Sequence, residues 1–273
     1  MEENEKIEHT EEHVQHHKKK EKELSLPMAI VLGAFLIAIA IIVVKMPART
    51  VTTTEVAGNS IDATALKAMV NHVLSSKNAT PVVPVTESDH IQGTKTPSIT
   101  IIEYSDLECP FCKNFDTTMN KVIQNYGDRV DWVYRHFPLD CVDDKSDSCT
   151  PLHPKARNEA IASECAFDQG GNDMFWQYIT NVFSITPSNN RLDPEQLNYV
   201  AKSLNLNMDD FAKCMKSDKY AKAVSEDAKA GLKSSVRGTP NSIIVDKSGN
   251  TYTVSGAYPY EVMSGVLDTL LKN

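Results

Sequence analysis

The sequence predicts an α/β domain: a small sheet whose two halves, one βαβ and one ββα, are separated by a helical insertion at about residues 154–233. Three observations predict it. "SITIIEYS" (98–105) and "RVDWVYRHFP" (129–138) are apolar runs on either side of a helical pattern. Residues 154–233 then read as helix almost throughout. Finally, "NSIIVDKSGNTYTVSGA" (241–257) reads as two strands joined by a turn, with one more helix after it.

The chain has 273 residues, 41% hydrophobic, with a formal net charge of −8. That length suits one substantial core plus appendages, and the acidic balance excludes the basic footprint of a nucleic-acid binder. Residues 1–25 are nearly all polar and read as a disordered tail, because they offer nothing to bury. Its histidines, His9, His13, His16 and His17, read as solvated rather than metal-binding.

Leu26–Val44 carries no charge and, at 1.5 Å per residue, would reach about 28 Å, the thickness of a bilayer core. The long polar lead and the absence of a small-residue cleavage site argue against a removable signal, so it reads as a single-pass signal-anchor. Lys18, Lys19, Lys20 and Lys22 precede the span, against Lys45 and Arg49 after it. The positive-inside bias therefore places the N-terminus in the cytoplasm and the remainder outside the cell membrane.

Residues 45–97 are expected to form a stalk and linker. Leu66, Met69, Val70, Val73 and Leu74 fall at helical spacing after Ser60, and Pro81 and Pro84 mark an extended segment. The folded domain is expected over residues 98–273. Its first strand is continuously apolar, as a strand buried on both faces should be. Phe111, Cys112, Phe115, Met119, Val122, Ile123 and Tyr126 predict the next helix, ended by Gly127. With the second strand this makes a parallel pair joined by a right-handed crossover.

In the insertion, Asp193 caps a helix with Pro194 at its first position, followed by Leu197, Val200 and Leu204. Phe211, Cys214 and Met215 mark another helix, and Phe175, Trp176, Tyr178 and Phe183 read as the insertion's core. A helix from Tyr260 to Leu271 closes the chain. This order of elements is that of the thioredoxin fold with an inserted helical domain.

Cys109 and Cys112 sit where the first strand hands over to the helix. Pro110 suits the first helical turn and places Cys109 at the N-terminus. Free N–H groups and the helix dipole there stabilise a thiolate, the species that attacks disulfides. Cys112, one turn on and on the apolar face, is expected to be sheltered and to act as the resolving thiol, with Cys109 exposed. A zinc site would need a second ligand pair, which is missing, and a bridge over so short a loop would restrain the unfolded chain little. The pair therefore reads as a redox dithiol, with no metal and no cofactor.

All six cysteines follow the apolar span, and an even number suits an oxidising compartment. The other four allow three pairings. The expected one is Cys141–Cys149, stapling a polar loop, with Cys165–Cys214 pinning the insertion at ~4 kcal/mol against ~2.5 kcal/mol for the short loop. A second redox relay through Cys141 is the functional alternative. His136 and His153 read as structural: one ends a strand, the other opens a helix with Pro154.

"EYSDLECPFCKNF", "VDWVYRHFPL", "HPKARNEAIASECA" and "VRGTPN" together resemble the DsbA-like family of extracytoplasmic thiol–disulfide oxidoreductases, over roughly residues 85–272. The resemblance implies that Cys109 is the nucleophile and Cys112 its partner. Pro240 would be a cis-proline facing them, and Thr239 would offer backbone hydrogen bonds to a bound substrate chain. Phe111 is expected on the substrate-binding surface, and Glu103 matches a buried acid that assists proton transfer to the resolving thiol. Two features depart from the strongest oxidants of the family. Phe111 stands where they carry histidine, and Glu108 puts negative charge beside Cys109, so a less oxidising couple is expected.

The implied activity is disulfide formation in exported proteins by a membrane-tethered enzyme, reoxidised by a quinone-linked membrane partner. A reductase or isomerase of the same fold, and a non-catalytic binding or chaperone module, are the alternatives.

Overall fold

β-Branched and aromatic residues build the centre of the domain. In the computed structural model, which describes residues 61–141, 143 and 149–272, β2 (Ile99–Ser105) and β3 (Val130–His136) run parallel from Ile99↔Val130 to Ser105↔His136. The helix α2 (Pro110–Tyr126) crosses between them. β4 (Asn241–Asp246) lies antiparallel on the other side of β2, and β5 (Thr251–Ser255) antiparallel to β4. A short strand, β1 (His90–Gly93), pairs antiparallel with β3, giving the order β1-β3-β2-β4-β5. This is a mixed α/β thioredoxin-like sheet.

Successive strand residues face opposite sides, and both sides are covered. Ile99, Ile101, Trp132 and Tyr134 pack with Cys112, Phe115 and Met119 of α2. Ile102, Tyr104, Val133 and Ile243 pack with Phe137 and with Ala228 of α6 (Asp218–Lys233) on the other face. The alternation places Glu103 on the α2 side, below the cysteine pair.

The insertion comprises α3 (Ala156–Ile185), α4 (Glu195–Ser203), α5 (Met208–Met215) and α6. α3 is broken at Gly171, whose φ of 66° lies in the left-handed region open to glycine. Asp193 accepts the amide of Glu195 at 3.0 Å and so caps α4. Asn207 caps α5 through the amides of Asp209 and Asp210. Cys165 and Cys214 are bonded, tying α3 to α5, and Cys141 and Cys149 are bonded across the loop after β3. Phe175, Trp176, Tyr178 and Phe183 are buried. The closing helix α7 spans Tyr260–Leu270.

The described part of the expected stalk belongs to the domain. Residues from Ile61 onward form one compact unit. The amphipathic helix α1 (Ala63–Ser75) follows Asp62, buries Val73 and packs against α7, where Val70 leaves room only for the hydrogen of Gly265. The proline-rich segment after it is held by Arg135, which donates to the carbonyls of Val83 and Pro84, each at 2.9 Å, and to both oxygens of Asp89 at 2.6 and 3.0 Å. A segment whose carbonyls fix a buried guanidinium is part of the fold, not a linker. The polar tail, the span Leu26–Val44 and the stalk up to Ser60 lie outside the described residues. Among the described residues, no helix is long and apolar enough to cross a membrane.

Candidate active site at the start of α2

Cys109 is the N-cap of α2 and Pro110 its first residue. The chain is extended at Cys109 (φ −78°, ψ 122°), so its sulfur sits over the unpaired amides of the first turn. Thr239–Pro240 is a cis peptide, and the Cys109 Sγ lies 3.4 Å from the Thr239 carbonyl oxygen. Cys112 is wholly buried, and its Sγ accepts the Asp106 amide at 3.4 Å. Both thiols are free.

The expectation of an exposed Cys109 needs correction: the residue is only 3% exposed. The Thr239 segment covers it, and it is reached from a groove of about 490 Å³ that it helps to line. Phe137, Leu139 and Leu152 make the groove apolar, and the Cys141–Cys149 bridge lies along it. Phe111 and Leu152, each 62% exposed, stand at its mouth.

The two sulfurs are electrostatically unequal. A hydrogen bond from the Cys112 thiol outweighs burial and, with the amides of Cys112 and Phe111, lowers the Cys109 pKa to about 6. Burial pushes the Cys112 thiol well above its ordinary value, and negative charge on Cys109, Glu103 and Asp106 adds to that. Cys109 is thus the thiolate at neutral pH and Cys112 the thiol.

Glu103 is buried, and its Oε2 accepts the Trp132 indole N–H at 2.9 Å. Burial raises its pKa to about 8 against the opposing hydrogen bonds, so it holds a proton at pH 7. Burial also raises Asp116 on α2 to about 6.

Glu108 is buried too, but it turns away from the sulfur. Its carboxylate accepts the Asn190 amide, its carbonyl accepts the Asn189 amide at 2.8 Å, and its own amide donates to Asp106 at 2.8 Å. Burial, with the hydrogen bond and charge of Glu108, pushes Glu159 on α3 up to about 10. Glu159 is therefore held in its protonated form beside Glu108.

Cys109, Cys112, Thr239, Pro240 and Phe111 are brought together, with Glu103 beneath. Sequence reasoning missed Asp106 and His153, which meet at the same place: His153 Nδ1 lies 2.9 Å from Asp106 Oδ2 across 47 residues. The dipeptide His153-Pro154 resembles a helix start, and α3 does begin soon after, at Ala156. No local signal marks the pairing. Among the described residues, no group of His, Cys, Asp and Glu side chains is arranged to hold a metal ion.

A family model described as thioredoxin matches residues 85–268. Among curated proteins, the chain is 29% identical over 187 residues to the Na+/H+ antiporter NhaA 3 of Salinispora tropica, covering 68% of this chain and 25% of that one. It is 36% identical over 104 residues to NhaA 1 of Mycolicibacterium gilvum, covering 38% and 14%. The chain thus spans a quarter or less of these relatives' length. Among solved structures, it is similar to Pseudomonas aeruginosa DsbA2, at 26% identity and a TM-score of 0.55, covering 70% of this chain and 98% of that one. Bacillus subtilis BdbD, at 21% identity and a TM-score of 0.57 with 70% and 97% covered, shares the fold.

Proposed function

Because the chain belongs to the thioredoxin family, we propose that its Cys109/Cys112 pair exchanges disulfides with other proteins, in the direction of disulfide formation. The observation that carries this reading is the inequality of the two sulfurs: one at a helix N-terminus opening on a groove, the other buried one turn on.

In the oxidised enzyme a substrate thiolate attacks Cys109 Sγ, and the Cys109–Cys112 bond breaks with Cys112 leaving. The buried Cys112 sulfur takes up a proton, for which Glu103, protonated at neutral pH, is the nearby source. A second substrate thiolate then attacks its own sulfur in the mixed disulfide and releases Cys109. The substrate loses two electrons and two protons as its disulfide forms; the electrons leave the enzyme holding a thiolate and a thiol, one proton replaces the one Glu103 gave to Cys112, and the other goes to solvent. A sulfur with a pKa of about 6 is a good leaving group in that last step. The same stabilisation of the reduced state makes the couple more oxidising, which favours the oxidase direction.

Thr239 and Pro240 form the rim against which an extended substrate segment would pair, and Phe111 with the apolar groove suits the unfolded chain flanking a substrate cysteine. The two further disulfides of this domain fit an oxidising, extracytoplasmic compartment. In this reading Leu26–Val44 tethers the domain to the outer face of the cell membrane, its substrates are exported proteins, and a quinone-linked membrane protein restores the disulfide.

The test is mixed-disulfide trapping together with a redox titration. A Cys112→Ala variant should accumulate adducts through Cys109 with reduced, unfolded exported proteins. The wild-type couple should titrate against glutathione above about −180 mV. A variant that traps nothing favours a non-catalytic binding module, and a potential near thioredoxin's, ~−270 mV, favours a reductase.

A further inference from the structure

His153 has no part in the exchange steps above, yet it lines the same groove as Cys109. It is 1% exposed. Asp106 holds it: Oδ2 faces His153 Nδ1 at 2.9 Å and also accepts the Leu139 amide at 2.9 Å, while Oδ1 accepts the Glu108 amide at 2.8 Å. Three N–H groups thus fix the carboxylate, and the carboxylate fixes the ring. Among the described residues, no hydrogen bond engages Nε2. An imidazole whose Nδ1–H is committed to a carboxylate can take its second proton at Nε2. Asp106 also touches the other sulfur, through the amide it donates to Cys112 Sγ.

We propose that Asp106 and His153 form a charge-positioning pair for the exchange: an imidazolium, held on the groove wall from outside the Cys-x-x-Cys motif, that favours negative charge on Cys109. The proposal rests on the exchange reading given above. It supplies, from the segment just before α3, the cation that Phe111 cannot provide.

Electrostatics agree with the geometry. Burial lowers the His153 pKa, but the hydrogen bond and charge of Asp106, with the charges of Cys109 and Glu108, outweigh it and leave the pKa raised. The other charged groups nearby are engaged elsewhere. Glu159 stays protonated beside Glu108. Asp143 pairs with Arg157 and Lys229, Lys155 donates to the Leu192 carbonyl, and Arg237 donates to the Leu232 and Val236 carbonyls.

The influences that lower Cys109 most are the Cys112 thiol and the first-turn amides, so the share of His153 is the smaller one. An effect of roughly three- to tenfold on the thiolate equilibrium corresponds to about 15–30 mV in the couple.

Linkage supplies a test read on the wild-type chain: if His153 stabilises the thiolate, the thiolate raises the His153 pKa by the same free energy. Ring-labelled histidine in the full chain, followed by NMR across pH, should show the His153 pKa falling by about half a unit to one unit when the Cys109–Cys112 bond forms. Equal values in the two redox states would overturn the proposal. The His153→Asn variant used for assignment keeps a donor for Asp106 but removes the charge. Its Cys109 pKa should rise by about half a unit to one unit. A wild-type Cys109 pKa in that variant, with a shift only in His153→Ala, would leave His153 a packing role and overturn the pair. Exchange with glutathione disulfide is measured alongside on the wild type. Linked shifts in a chain that does not exchange would support the pair and defeat the functional reading. Exchange without linked shifts would defeat the pair alone.

Discussion

Taking the reduced protein from pH 8 to pH 5 should cost it stability that the oxidised protein keeps. In the reduced state Cys109 titrates at about 6, against 9.0 for an ordinary thiol. A pKa depressed by folding stabilises the fold above the unfolded value, and that stabilisation is lost as pH falls through the folded value. The window therefore runs from about 9 down through about 6. For these two values, linkage gives ~2.7 kcal/mol at pH 8, ~1.4 kcal/mol at pH 7 and less than ~0.1 kcal/mol at pH 5. Cys112, raised by burial, stays protonated throughout. Once oxidised, Cys109 has no proton to exchange, while the buried carboxyl groups titrate in both states and largely cancel in the difference. The assay is urea unfolding of both forms at pH 5, 6, 7 and 8, with the reduced form kept reduced by a phosphine. The stability gap should move toward the reduced form by ~2.6 kcal/mol between pH 5 and 8. A gap constant to within ~0.5 kcal/mol would refute the inequality of the sulfurs.

Three further outcomes follow from the packing. Glu103→Gln keeps an acceptor for Trp132 and removes an acid raised from 4.5 to about 8. A raised acid weakens the fold as pH climbs above its unfolded value, so the variant should be more stable by ~3 kcal/mol at pH 7 while forming mixed disulfides with substrate thiols more slowly; unchanged stability in urea would show an ionised Glu103. Arg135→Met strips a buried guanidinium from Asp89, Val83 and Pro84, which should cost ~3–5 kcal/mol and open residues 80–89 to limited proteolysis. Replacing Cys165 and Cys214 by alanine should cost ~4 kcal/mol, measured by denaturation without reductant, and leave Cys109 alkylation unchanged.

The core of the fold is legible in the sequence because its strands are buried on both faces and so read as unbroken apolar runs. The Asp246–Asn250 turn and the helical insertion were readable for the same kind of local reason. β1 was not: His90–Gly93 has no such pattern, and only its pairing with β3 makes it a strand. α1 is plainly amphipathic, but nothing local shows that its apolar side meets α7 rather than another chain. At the site, the proline inside the motif and the helix start mark the cysteine pair, whereas its cover by Thr239 depends on residues 130 positions away. The position of Glu108 was readable and its orientation was not, since that is set by the Asn189–Asn190 loop. His153 and Asp106 meet only through the tertiary packing of the segment before α3 against the loop after β2.

The most direct test of the central claim is the pH profile of thiol alkylation in the native, reduced protein, with the modified residue mapped by mass. Iodoacetamide at neutral pH should label Cys109 and spare Cys112, with a rate midpoint at about 6. Equal labelling of the two, or a midpoint near 9.0 for Cys109, would contradict it.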